Sequence, residues 1–165
     1  MKSISKLICA CIVLLLVLQP DNLLAHTRAL TDITVGHRSN DSTGTVSISN
    51  ASIQQSIIPL IKWIKNTTIT SENPSVIVCT NNAYLLFNVT DSLGKKSAIA
   101  VQLSETSSGN FTFTDGGGKE LHIASGTGGC TSCIYNKENG RLSFATCAGS
   151  TTVRCRDELH FLLSY

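Results

Sequence analysis

Between Ser75 and the C-terminus the chain alternates. Ala83, Leu85, Phe87 and Val89 are separated by Tyr84, Leu86 and Asn88; Ile99, Val101 and Leu103 by Ala100 and Gln102; Phe111 and Phe113 by Thr112. A period of two puts successive side chains on opposite faces, which is the signature of a strand with one face on a core. Turn residues punctuate the runs: Asp91-Ser92-Leu93-Gly94, Asp115-Gly116-Gly117-Gly118 and Asn139-Gly140, the last a type I′ hairpin signal. Leu121 with Ile123, Leu142 with Phe144, Val153, and finally Leu159, Phe161 and Leu163 continue the pattern. About eight short strands at regular spacing predict a mostly-β (α+β) fold, an antiparallel β-meander folded as a sandwich or barrel.

One stretch has a different period. Ile53, Ile57, Leu60, Ile61 and Ile64 repeat at helical spacing over residues 52–65, predicting one N-terminal amphipathic helix packed on the sheet. Ser52 and Gln55 have capping-box spacing, and Lys62 and Lys65 sit where they suit the C-terminal dipole. Pro59 opposes a regular helix there, because it lacks an N–H and its ring meets the preceding turn. Thr45 to Ser49 predicts a short strand. Residues 26–44 are polar and irregular and read as an N-terminal arm.

The first residues are patterned for export. Lys2 and Lys6 precede an unbroken apolar run from Ile8 to Leu18, Pro20 breaks it, and Leu23-Leu24-Ala25 offers a small residue at the cut. This is the layout of a secretory signal peptide, and the run is about half the length of a membrane span. The predicted organisation is therefore a signal peptide at 1–25, a polar arm at 26–44, and one disulfide-containing β-rich domain at 45–165.

Composition changes the picture in two ways. Lys2, Lys6 and Asp21 leave with the signal, so thirteen basic and eleven acidic residues become eleven and ten. A nearly neutral chain without clustered Lys and Arg predicts no nucleic-acid partner. Its scarcity of charge calls for another source of solubility. Asn40, Asn50, Asn66, Asn88 and Asn110 each begin an N-x-S/T sequon, so N-glycosylation is expected. Asn88 and Asn110 fall on the polar phase of their strands, where a glycan must be.

Cysteine use fits export. With Cys9 and Cys11 in the signal, Cys79, Cys130, Cys133, Cys147 and Cys155 remain. In an oxidising compartment the last four are expected to pair among themselves. A bulge would set Cys133 opposite Cys147, making that bridge the favoured one. Cys79, inside the apolar run Val76-Ile77-Val78-Cys79, is expected to stay reduced. Cys130-x2-Cys133 lacks the second tight pair of a structural zinc site, and it opens no helix of the kind that activates a redox thiol.

Candidate chemistry is sparse. His122 lies between Leu121 and Ile123, and His160 between Leu159 and Phe161. Both read as polar-face residues, with Glu120 and Glu158 beside them. Replacing either is expected to cost no more than about 0.5 kcal/mol. The glycine-rich segments lack the Lys-Ser/Thr ending of a phosphate loop. No catalytic residue, cofactor or metal site is predicted, and no membrane span after signal removal. The expectation is a secreted, N-glycosylated binding or interaction domain acting on an extracellular protein. Two alternatives stand beside it: a barrel carrying a small apolar ligand, and a secreted hydrolase using His122 or His160.

Overall fold

The computed structural model describes residues 32–71, 73–114, 117–126, 133–138, 141–149 and 153–162. The expected signal peptide, Cys130 and the expected Asn139-Gly140 turn lie outside them. The fold is mostly antiparallel β. Its strands are β1 (Ile33–Arg38), β2 (Thr43–Val46), β3 (Thr67–Ile69), β4 (Ser75–Cys79), β5 (Asn82–Asp91) and β6 (Lys96–Glu105). Then follow β7 (Asn110–Phe113), β8 (Lys119–Gly126), β9 (Cys133–Glu138), β10 (Arg141–Cys147) and β11 (Cys155–Leu162).

Six of these close a barrel: β1 pairs with β2 and β7, β2 with β4, β4 with β5, β5 with β6, and β6 with β7. Closure depends on two long strands that change partners. The first half of β5 pairs with β4 and its end with β3, while β6 pairs with β8 from Ser97 to Val101 and with β7 at Ser104 and Glu105. Beyond β6 the sheet continues outside the barrel as β8 and then β11. The polar arm is corrected here. Residues 33–38 are a barrel strand with Val35 fully buried and Ile33 packed against the same core, because two apolar residues are enough to hold a short strand between two neighbours. Gly36 is required there: a Cβ would stand 2.0 Å from the Thr45 carbonyl oxygen.

The barrel interior is filled by Leu85, Ile99, Val101, Phe111, Phe113 and their neighbours. The helical segment covers one opening, and Ile53, Ile57, Ile58, Ile61 and Ile64 join the same core. Its cap is Ser49, whose Oγ accepts from Ser52 N, not the expected Ser52–Gln55 box. Pro59 breaks the regular helix as its missing N–H requires. One α-turn (Asn50–Ser52) opens into a π-turn (Ile53–Ile57), then into 3₁₀ turns at Ile58–Leu60 and Lys62–Ile64. Gln54 ties the segment to β3, donating to Thr67 O and accepting from Ile69 N.

The β9–β10 hairpin lies across the outer face of β4, β5, β6 and β8 and creates a second core. Leu142 and Phe144 pack there with Ile77, Cys79, Tyr84, Leu86, Ala98, Ala100 and Ala124. A shift in β10 between Ser143 and Thr146 brings Cys147 opposite Cys133. Cys133 is nevertheless bonded to Cys155, with a Cα–Cα distance of 5.9 Å, so the favoured Cys133–Cys147 bridge is wrong. Cys133 packs down on the second core, where the start of β11 is within disulfide reach. Cys147 is also disulfide-bonded, and Cys79 is free and buried. At the hairpin's other end Lys137 Nζ donates to Ser42 O and Val78 O. The hairpin is thus fastened at both ends.

Candidate functional site

The part of the molecule richest in chemistry is the outer face of β8 and β11, where it emerges from under the hairpin. Pairing sets Ala124 opposite Asp157, His122 opposite Leu159, and Glu120 opposite Phe161. Residues facing across an antiparallel pair share a face, so these six lie together.

His122 is 6% exposed, and this overturns its placement on a solvated face. The alternation holds, since Leu121 points into the barrel core and His122 away from it. The hairpin covers the side to which it points, so both faces of β8 are buried. Its Nδ1 lies 3.1 Å from Asp157 Oδ2. An ionised carboxylate only accepts, so Nδ1 carries the hydrogen in this pair. Nε2 faces Glu120 Oε2 at 3.9 Å. Asp157 Oδ2 also accepts from Phe144 N at 3.0 Å, joining hairpin to sheet.

Tyr84 completes the group. It is 1% exposed, its hydroxyl donates to Glu120 Oε2, and its ring meets His122 edge-on with centroids 5.9 Å apart. Burial, and then the bond to the Glu120 carboxylate, hold its hydroxyl well above the usual phenol range. Gln102 positions Glu120 by accepting from its backbone N–H, and is itself tied to Asn82. Burial likewise pushes the Cys79 thiol up, which keeps it in its inert form.

The face turns apolar where the hairpin ends. Leu159 and Phe161 are each 49% exposed, although the alternation predicts them inside and His160 outside. The phase of β11 is the reverse: Leu162 is buried, and His160 stacks on Trp63 at 4.8 Å between ring centroids. On that second face Glu158 lies 3.2 Å from Arg156 and 3.7 Å from His160.

Of the sequon residues, Asn40, Asn66, Asn88 and Asn110 are exposed. Asn50 is half-buried, and its Nδ2 donates to Ser71 O. Asn88 borders a cleft of about 240 Å³ under the edge of β9, lined by Thr70, Lys96, Ser97 and Cys133 among others. Among the described residues no group of three or more His, Cys, Asp or Glu side chains is placed to hold a metal. No described helix is long and apolar enough to cross a membrane. Tyr84 and Asp157 escape sequence reasoning, since each is about 35 positions from its partner and only the sheet register joins them. Comparison with protein families, curated proteins and solved structures finds no match for this chain.

Proposed function

We propose that this chain is a secreted, N-glycosylated interaction domain that works through protein–protein contacts on the β8–β11 side. The observation that carries this is the bare apolar pair Leu159 and Phe161, half-exposed on the last strand of the sheet. Exposed apolar side chains grouped at a sheet edge mark a contact surface. The layout of residues 1–25 and the Cys133–Cys155 disulfide both suit an oxidising, extracellular setting. Asn40, Asn66, Asn88 and Asn110 present exposed side chains for modification, whereas the engaged amide of Asn50 makes it the poorest acceptor.

The rival roles have less support. A carrier encloses its ligand, and this barrel is filled with its own side chains. A hydrolase of the triad type needs a hydroxyl nucleophile on the imidazole nitrogen that the carboxylate leaves free. In His122 the second nitrogen faces another carboxylate, and the nearby phenol is held protonated. The group holds the hairpin to the sheet.

The test has two arms. Expressed through a eukaryotic secretory route, the protein should run above its sequence mass and fall to it on treatment with an N-glycosidase. A secreted product at bare sequence mass rejects glycosylation. In the second arm, the double variant Leu159→Lys with Phe161→Lys should keep its melting profile and lose cross-linking to any protein that co-purifies with the wild type. Unchanged cross-linking would move the contact surface elsewhere.

A further inference from the structure

Strand β11 ends the sheet among the described residues. One side is taken by β8 without interruption, from Cys155 opposite Gly126 to Leu162 opposite Lys119. On the other side the Thr146–Arg154 bridge meets the chain just before the strand begins. Exposed edges are normally blunted by proline, charged side chains or a bulge. The charged residues Arg156, Asp157 and Glu158 are confined to the first half of this strand, Leu159 to Leu162 carries no proline, lysine, arginine or carboxylate, and the register with β8 has no bulge. Apolar side chains flank this edge on both faces: Leu159 and Phe161 on one, Trp63 (38% exposed) on the other.

We propose that this edge is a homodimer seam, in which β11 of a second copy pairs antiparallel about a two-fold axis through Leu159. The proposal rests on the interaction-domain reading and names its partner. A two-fold interface must be self-complementary. In such a pairing facing residues share a face, so the axis passes through a residue and not between two. An axis at Glu158 sets two carboxylates against each other and Arg156 against His160. An axis at His160 opposes two imidazoles and sets Glu158 against Leu162. The axis at Leu159 sets no two like titratable side chains against each other, and its mismatch of Arg156 with Leu162 falls at the ends of the pairing. Leu159 meets its own copy, Glu158 faces His160 twice, and the Phe161 rings lie diagonal to the leucine pair. Asp157 falls opposite Phe161, but its carboxylate is engaged by His122 and the Phe144 amide, so the ring meets no unpaired charge. One strand pair is a small interface beside the about 1,200–2,000 Å² of stable complexes. The dimer should therefore dissociate on dilution.

Sedimentation velocity on the full secreted protein over a concentration series should show a reversible monomer–dimer equilibrium. Three single variants locate the axis: Glu158→Cys, Leu159→Cys and His160→Cys. Facing residues in an antiparallel pair have Cα atoms about 4.5–5.5 Å apart, within disulfide range. Leu159→Cys should form a covalent dimer under mild oxidation at least about tenfold faster than its neighbours. Fastest cross-linking at position 158 or 160 overturns the proposed axis. A monomer at every concentration overturns the seam, as does a dimer that survives Leu159→Lys with Phe161→Lys. The interaction-domain reading survives a monomeric result if the lysine variant still loses cross-linking to another protein, and falls with it if that variant changes nothing.

Discussion

His122 shares its Nδ1 hydrogen between the two oxygens of a carboxylate that also fastens the hairpin, and it is buried against Tyr84 and Phe144. Replacing it by Ala leaves Asp157 short of a partner in a poorly hydrated place, which costs about 2–4 kcal/mol. Urea denaturation should show that loss for His122→Ala. For His160→Gln it should stay within about 1 kcal/mol, since His160 is only half-buried and stacks on the exposed Trp63. Tyr84 adds a pH dependence. Its folded-state pKa is raised above the usual value of 10, so above that pH the unfolded chain releases a proton that the folded chain keeps. The stabilisation is complete below pH 10 and declines as pH rises further. Denaturation midpoints measured from pH 8 to 11 should fall over the last unit, and Tyr84→Phe should flatten that fall. A third residue is strained: Thr80, in the β4–β5 turn, has φ of 46°. A β-branched side chain is disfavoured in that left-handed region, whereas Asn tolerates it. Thr80→Asn should raise stability by about 0.5–1 kcal/mol in the same assay.

At the level of elements, the β9–β10 hairpin decides the most. It covers a face of the sheet that would otherwise expose Tyr84, Leu86, Ala98 and Ala124, and it turns a one-sided strand pattern into strands buried on both sides. Two fastenings hold it, the Cys133–Cys155 bridge and Lys137 on the carbonyls of Ser42 and Val78. The bridge joins residues 22 apart in sequence, and restricting a loop of that length in the unfolded chain stabilises by about 3 kcal/mol. Cys133→Ser with Cys155→Ser should lose about that much. It should also speed the labelling of Cys79 by a thiol reagent, because the buried thiol lies beneath the loosened hairpin. Labelling as slow as in the wild type would show that the core alone holds the hairpin down.

For the whole molecule, the fold is a closed barrel with a sheet extension, and the two parts divide the work. The barrel with its helical cap supplies the main core, while β8, β11 and the hairpin carry the polar group and the exposed edge. Such a division places the main core away from Leu159 and Phe161, so changes at these two positions should leave thermal unfolding within about 0.5 kcal/mol of wild type. That independence is what makes the lysine variant a usable probe.

The antiparallel β class, the position of the strands from Ser75 onward and the apolar helical stripe follow from local patterning alone. Periodicity is a property of neighbouring residues, and a buried face imposes it directly. Turn chemistry is local too: the Asp91 side chain accepts from Leu93 N and Lys95 N and Gly94 takes a positive φ, as the Asp91-Ser92-Leu93-Gly94 signal requires. Patterning cannot show that a hairpin later in the chain covers the outer faces of β5 and β8, which is what buries Tyr84 and His122. Nor could it find β1, whose apolar contact with the core is only Ile33 and Val35, beside Gly36. Strand β11 is the sharpest case. Leu159 and Phe161 have the spacing of core residues, yet the neighbour that would cover them is absent among the described residues, and only the sheet's order shows which face lies outward. Alternation identifies two faces of a strand; what lies against each of them is decided by contacts between residues far apart in the chain.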